Sequence, residues 1–379
     1  MEQAQSPKHL RKTVRSAVFC VMVKNGLSFP VRIEDNTPEN QERRDTLLNM
    51  KQWLQQLPGS GKPLPLLSFP GMRFLGDVNV RQMVTDSRIQ ADCMKAVADR
   101  VEAAAAVSFM DLSVEAEAFG AEILFYDDDV PALTGALITD EAEAEALEIP
   151  EVGAGRTGVY IDAIRRAKER ITDRPVLAGA IGPFSLAGRL VDVSEAMYLC
   201  YDEPELLHIL LEKCTAFSIQ YIRSLRSAGA DGVILAEPLA GLISPEQERE
   251  FSAGYVRKIA EAVQDDSFPV IYHNCGNYAY LMTDSFRENG CMAYHFGDSV
   301  DLPMMLEKMG PDRIVMGNIS PSGQFRGGTP ATMAQAVREL LLRCGGYGSF
   351  VPSSGCDIPP GSPWENIEAF FNTCKEERN

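Results

Sequence analysis

Eight apolar runs of strand length, each followed by enough residues for a helix, constrain the fold of this chain more than any other feature. The runs lie at residues 64–69, 106–112, 176–181, 232–236, 268–273, 292–296, 313–317 and 349–352. Near-continuous apolar strands that alternate with helices are typical of a parallel sheet covered on both faces. Eight such units closed into a ring predict an α/β fold of the (β/α)8 TIM-barrel type.

The segment around Pro58 divides the chain into two predicted parts. It reads Pro-Gly-Ser-Gly-Lys-Pro, and such a run of turn residues interrupts regular structure. We therefore expect residues 64–379 to form the barrel and residues 1–63 to form an N-terminal extension that packs on it. Residues 121–147 are predicted to be an insertion with its own short strand and an acidic helix beginning near Asp140.

Composition and charge exclude several classes of partner. The chain has 36 basic and 53 acidic side chains, a formal charge of −17. Nucleic acids and anionic membranes attract basic surfaces, so neither is expected as a partner. No apolar run reaches the length of a membrane span, and residues 17–23 are too short for a secretory signal. A cytoplasmic location is predicted, and the nine scattered cysteines are not expected to form disulfides.

Polar residues that suit catalysis follow several of the predicted strands. In a TIM barrel the carboxyl ends of the strands meet at one rim, where active sites lie. The side chains that this rule brings to the rim are Glu237, His273, Cys275, His295, Asp298, Asn318 and Cys356. Asp111 and Glu117 are further candidates, although an ion pair with a buried arginine is an equal alternative for them.

His273, Cys275 and Cys356 form a predicted zinc site. His273 and Cys275 are two residues apart, so both can face the mouth at the end of one strand, and Cys356 arrives from the last strand. One imidazole and two thiolates suit zinc, and three protein ligands leave the open position typical of a catalytic site. The alternative is a buried histidine beside two unrelated cysteines.

The His-x-Cys pair with a distant cysteine resembles the zinc motif of methylcobamide:coenzyme M methyltransferases, in the uroporphyrinogen decarboxylase superfamily. The stretch from Glu115 to Gly120 is similar to a Glu-Ala-Leu-Gly helix of that family, and residues 179–184 are similar to its third-strand loop. The resemblance implies methyl transfer from a methylcorrinoid (cobalamin) to coenzyme M, another thiol or tetrahydrofolate, or transfer in reverse. It further implies that Gly182, Phe184 and Asn318 contact the cofactor.

A corrinoid protein is the implied partner, because the chain has no Asp-x-His-x-x-Gly corrinoid-binding segment. Glu237, Asn318 and Asp298 are the catalytic candidates. Glu237 and Asp298 are also alternatives, with water or substrate, for a fourth zinc ligand. Glu237 can instead be a polar rim residue, and Asn318 can simply cap a turn.

Two departures from the family pattern affect the expected activity. The arginine-rich Gln-Ala-Gly-Arg-Tyr segment of the decarboxylases is replaced at residues 70–74 by Pro-Gly-Met-Arg-Phe, which argues against decarboxylation of a polyacidic tetrapyrrole. His295-Phe296-Gly297-Asp298 stands where related zinc barrels carry an acidic ligand. A metal-independent decarboxylase and a non-catalytic corrinoid or tetrapyrrole binding protein remain the alternatives.

Overall fold

The computed structural model describes residues 49–377 as strands wrapped by helices. The strands are β1 (Ala106–Val107), β2 (Ile123–Leu124), β3 (Ala132–Leu133), β4 (Val176–Ile181), β5 (Gly232–Ala236), β6 (Val270–Asn274), β7 (Ala293–Phe296), β8 (Ile314–Ile319) and β9 (Phe350–Ser354). The α-helices are α1 (Met50–Gln56), α2 (Val80–Thr85), α3 (Ser87–Ala98), α4 (Val114–Ala118), α5 (Glu141–Ala146), α6 (Thr157–Arg170), α7 (Pro183–Val191), α8 (Val193–Asp202), α9 (Pro204–Ser227), α10 (Pro245–Glu248), α11 (Gly254–Val263), α12 (Thr283–Glu288), α13 (Leu302–Met309), α14 (Pro330–Cys344) and α15 (Trp364–Glu376).

The main sheet is parallel and follows the order of the chain. Its seven strands lie in the order β1-β4-β5-β6-β7-β8-β9, so each strand pairs with the next one after an intervening helix. This is the predicted TIM-barrel arrangement. Pairing of β6 with β7 sets His273 directly beside His295.

The first predicted strand is the exception. Residues 63–68, here called the closing segment, bridge the two edges of the sheet without forming a regular strand. The Leu64 amide donates to Pro352 O at 2.9 Å on one side, and the Ala104 amide donates to Pro63 O at 2.9 Å on the other. Pro63 and Pro65 have no N–H to donate, so a continuous ladder cannot form there.

The insertion after β1 is present as predicted. β2 and β3 form a separate antiparallel hairpin, and Asp140 caps α5 by accepting from the Glu143 amide at 2.8 Å. The long helix α9 begins at Pro204, since proline favours the first turn of a helix. Asp202 ends the preceding helix α8.

The amino end of the barrel is closed by apolar side chains. Met50 and Leu54 of α1 pack in one cluster with Ile234 and Ile271 from the strand interiors. Helix α1, which lies within the predicted N-terminal extension, therefore forms part of the apolar floor at the amino end of the barrel. Residues 1–48 lie outside the described residues, and the predicted boundary at residue 63 stays a prediction.

A second, larger cluster lies between the sheet and the surrounding helices. Within residues 49–377 no helix has the length and apolar character needed to cross a membrane. The eight cysteines of this part of the chain are free thiols. The polar carboxyl ends of the strands, opposite the apolar floor, are where the candidate site is formed.

Candidate active site and metal centre

His273, Cys275 and Cys356 come together at the carboxyl end of the barrel. β6 carries His273 and ends one residue before Cys275, while Cys356 follows β9. One nitrogen or sulfur atom from each lies within 4.8 Å of the others, and Cys356 Sγ is 3.4 Å from His273 Nε2. His273 is buried, and both cysteines are half-buried. The structure thus gathers the three predicted ligands, and this nitrogen and sulfur set fits zinc.

The thiols of Cys275 and Cys356 shift each other's pKa in opposite directions. The hydrogen bond from Cys356 lowers the pKa of Cys275, because it stabilises the Cys275 thiolate. The same bond, together with burial, raises the pKa of Cys356. A divalent cation that binds both sulfurs must displace the protons that they carry.

A chain of buried polar groups stands behind His273. His273 Nδ1 lies 2.8 Å from His295 Nδ1 and 3.3 Å from the His295 carbonyl oxygen. His295 Nε2 lies 2.8 Å from Ser353 Oγ, which donates to the Leu64 carbonyl at 2.7 Å. Burial, with the nearby His273, holds the pKa of His295 well below its usual range. His295 is therefore neutral, and its ring nitrogens face His273 and Ser353 rather than the thiols.

Glu237 lies on another part of the mouth and is fully buried. Its carboxylate accepts from the Phe184 amide at 2.7 Å and from the Ser185 amide at 3.0 Å, at the amino end of α7. Burial raises its pKa to about 7. These bonds describe a carboxylate that holds a helix end. Its predicted catalytic role stays a prediction.

The third-strand loop is shaped around this carboxylate. A Cβ on Gly182 would lie 2.2 Å from Glu237 Oε2, so only glycine admits the contact. Phe184 is completely buried, and its expected contact with a corrinoid stays a prediction. The glycine in this loop is explained by packing against Glu237.

Asn318 lies in β8, and Asp298 lies in the loop after β7. Asn318 Nδ2 donates to the Gly297 and Val300 carbonyls, each at 2.9 Å, and so holds the loop after β7. Asp298 is exposed, and its negative charge acts to raise the pKa of Cys275. Asp298 is thus close enough to influence Cys275, although it is not among the three gathered ligands.

Asp111 and Glu117 form ion pairs with a buried arginine. Such an ion pair is the alternative to catalysis that the sequence offers for these two acids. Arg156 Nε donates to Glu117 at 2.6 Å, and the guanidinium also donates to Asp111. Tyr160 donates to Asp111 at 2.9 Å. The sequence did not single out Arg156, because it lies just before α6 and far along the chain from both acids.

A model of the family described as uroporphyrinogen decarboxylase (URO-D) matches residues 71–377. The chain belongs to this family. Among its relatives, a methylated-thiol–coenzyme M methyltransferase of Methanosarcina mazei is 28% identical over 77% of this chain and 77% of the relative. A methylcobamide:CoM methyltransferase of Methanosarcina acetivorans is 26% identical over 70% of this chain and 77% of the relative.

Decarboxylases match the chain as well. A uroporphyrinogen decarboxylase of Tolumonas auensis is 26% identical over 72% of this chain and 78% of its own length. Among solved structures, a methyltransferase from Methanosarcina mazei has a TM-score of 0.77 at 24% identity, covering 88% of this chain and 99% of that one. A B12-independent methionine synthase from Shewanella has a TM-score of 0.56 at 12% identity, covering 85% and 98%. The structural likenesses establish the fold, and the family contains both enzyme classes.

Proposed function

We propose that this protein is a zinc-dependent methyltransferase that moves a methyl group between a methylcorrinoid and a thiol or tetrahydrofolate acceptor. The observation that carries the proposal is the gathering of His273, Cys275 and Cys356 at the barrel mouth. Relatives named as methyltransferases of methylated thiols and methylcobamide support the reaction class. A cytoplasmic location stays a prediction from the sequence.

The ligand set determines the charge of the loaded site. One neutral imidazole and two thiolates carry a charge of −2, which a zinc ion neutralises. When bound, zinc supplies a Lewis acid that keeps an acceptor thiol deprotonated near neutral pH. The half-buried Cys275 and Cys356 leave room on the solvent side for a fourth group, as a catalytic site requires.

The methyl transfer is a displacement at carbon. The acceptor sulfur attacks the methyl carbon, a C–S bond forms and the Co–C bond breaks. Both electrons of the Co–C bond stay on cobalt, which passes from Co(III) to Co(I), and the thiol proton goes to solvent. Reverse transfer, from a methyl donor to the corrinoid, uses the same atoms.

Large apolar side chains at the mouth support docking of a corrinoid protein. Leu242, Tyr278 and Leu281 are each between 42% and 51% exposed. They lie in loops that follow β5 and β6, and the Tyr278 amide donates to Gly241 O at 3.0 Å, so the two loops are joined. Tyr278 and Leu281 belong to the loop that begins at Cys275.

Decarboxylation is the second candidate, since decarboxylases match the chain at similar identity. The predicted absence of an arginine cluster at residues 70–74 argues against it. Arg73, the arginine of this stretch, faces Glu365 at 3.9 Å and the Phe74 ring at 5.9 Å. Its charge is already partly balanced by a carboxylate of the protein.

An anaerobic spectroscopic assay of methylcobalamin demethylation tests the proposal. We expect turnover with at least one member of a panel of thiols, or with tetrahydrofolate, and loss of turnover in the Cys356→Ala variant. Calorimetry in buffers of different ionisation enthalpy should show proton release when a thiol binds. Uroporphyrinogen consumption without demethylation would support the decarboxylase, and corrinoid binding without any turnover would support a binding protein.

A further inference from the structure

We propose that His295 and Ser353 are positioning residues that fix the tautomer of His273, so that its Nε2 lone pair faces the two thiols. The proposal deepens the proposed function, on which it rests for the identity of the metal. The tautomer itself is a property of the metal-free protein. We call Leu64, Ser353, His295 and His273 the relay.

The relay crosses the barrel interior with no solvent contact. Ser353 Oγ lies 2.7 Å from Leu64 O and 2.8 Å from His295 Nε2, and His295 Nδ1 lies 2.8 Å from His273 Nδ1. His295 and Ser353 are completely buried, and His273 is 2% exposed. Protons at these atoms therefore have to be matched to acceptors within the protein.

A backbone carbonyl oxygen lies at each end of the relay, Leu64 O beside Ser353 and His295 O beside His273. A carbonyl oxygen can only accept a hydrogen bond. Leu64 O at one end requires the single Ser353 hydroxyl proton. Ser353 Oγ then has only lone pairs to offer, so His295 Nε2 must carry a proton and His295 Nδ1 must not.

The opposite end agrees with this direction. His295 O, which can only accept, lies 3.3 Å from His273 Nδ1, and the unprotonated His295 Nδ1 lies 2.8 Å from the same nitrogen. His273 therefore carries its proton on Nδ1, and its Nε2 is bare. That bare nitrogen is the atom 3.4 Å from Cys356 Sγ.

The reverse arrangement would disable the site. If Ser353 donated to His295, the proton of His295 would move to Nδ1, and His273 would have to be protonated on Nε2. That nitrogen would then point a proton at the thiols and could not bind a metal. Groups that orient a ligating histidine through its other nitrogen are a general feature of metal sites.

Selective ¹⁵N labelling of histidine reads the tautomers directly in the metal-free protein. We expect His273 to be protonated at Nδ1 and His295 at Nε2. Finding the His273 proton on Nε2 would overturn the proposal. This result does not depend on whether the enzyme transfers methyl groups.

Zinc affinity, measured by competition with a chromophoric chelator, tests the consequence. Ser353→Ala removes the acceptor for His295 Nε2 and should weaken zinc binding about 10–100-fold. Ser354→Ala is the matched control. Ser354 is equally buried on the same strand, but its hydroxyl accepts from the Leu66 amide at 3.0 Å and lies outside the relay. Equal affinity in the two variants would overturn the proposal.

A pair of substitutions at His295 separates the two nitrogens. His295→Asn places an amide oxygen near the position of Nδ1, whereas His295→Gln places its amide near Nε2. The asparagine variant should retain more zinc affinity than the glutamine variant, and the reverse order would contradict the relay. Normal zinc binding and the expected tautomers without methyl transfer would refute only the proposed function. Methyl transfer with unchanged zinc affinity in Ser353→Ala would refute only the relay.

Discussion

The two sides of the barrel mouth use polar residues in opposite ways. On the metal side, formed by His273, Cys275 and Cys356, the ligand atoms face one another. On the carboxylate side, formed by Asp111, Glu115, Arg156 and Glu237, each acid already has a partner in the protein.

The difference separates two kinds of polar side chain at a strand end: those that can bind a ligand and those already bonded to groups of the protein. Buried polar groups are costly unless they are hydrogen-bonded, so an acid that holds a helix end or an arginine is already satisfied. The metal side instead places a bare imidazole nitrogen and two sulfurs together. Four substitutions test this contrast between the two sides of the mouth.

The largest expected effect is on metal content. Cys356→Ala should reduce bound zinc from about one per chain to nearly none after dialysis, because two remaining ligands do not make a stable zinc site. The barrel should stay folded, since function lies at the rim and stability in the core. Elemental analysis measures the zinc content, and circular dichroism checks that the variant is folded.

Cys374→Ala is the control for this change. Cys374 is a free thiol too, but it is buried in α15 and lies outside the gathered ligands. It should lose some stability from the cavity and no zinc. Equal zinc loss in both variants would contradict the assignment of Cys356.

Removing Arg156 should have the largest effect on stability. Arg156→Met leaves Asp111 buried without its cation, and breaking a buried pair costs about 3–5 kcal/mol. Arg165→Met is the control, because Arg165 is exposed and its pairs with Asp162 and Glu169 contribute at most about 1 kcal/mol. Urea unfolding should give a lower free energy of unfolding for Arg156→Met than for Arg165→Met. The zinc bound per folded chain should be the same in both variants.

Glu115→Gln should change how stability depends on pH. Burial raises the pKa of Glu115 from an ordinary 4.5 to about 7. Between these values the unfolded chain loses a proton that the folded protein keeps, so rising pH destabilises the parent. The difference in free energy of unfolding, variant minus parent, should therefore increase by about 3 kcal/mol from pH 4 to pH 8. A constant difference across this range, in unfolding measured at several pH values, would show that Glu115 does not titrate this way.

Glu237→Gln should have the smallest effect. The amide can still accept from Phe184, but it loses one acceptor at the end of α7, which costs about 1 kcal/mol. If Glu237 only holds α7, methyl transfer should continue at a similar rate. A fall of about 100-fold or more in kcat with unchanged zinc would instead support a catalytic role for Glu237, as a general acid toward tetrahydrofolate.

The sequence predicted the fold and the gathering of His273, Cys275 and Cys356 because both follow local rules. Apolar runs mark buried strands, and residues at strand ends share one rim. His273 and Cys275 are two residues apart in sequence. The predicted order of the strands was sufficient to place Cys356 at the same rim.

The remaining features depend on register and distant packing. The relay requires His273 to pair with His295 across two strands, which the sequence pattern does not specify. Arg156 reaches Asp111 from a segment 45 residues away. Pro65 lies in the first predicted strand and Pro63 directly precedes it, and because neither has an amide proton this stretch forms the closing segment instead of a regular strand.

X-ray absorption at the zinc edge tests the central claim most directly. The purified protein should contain zinc with two sulfur ligands at about 2.3 Å and one imidazole nitrogen at about 2.0–2.1 Å, completed by a light atom. Addition of an acceptor thiol should raise the sulfur count from two to three. A protein without zinc, or a sulfur count below two before any thiol is added, would contradict the assignment of His273, Cys275 and Cys356 as an open catalytic zinc site.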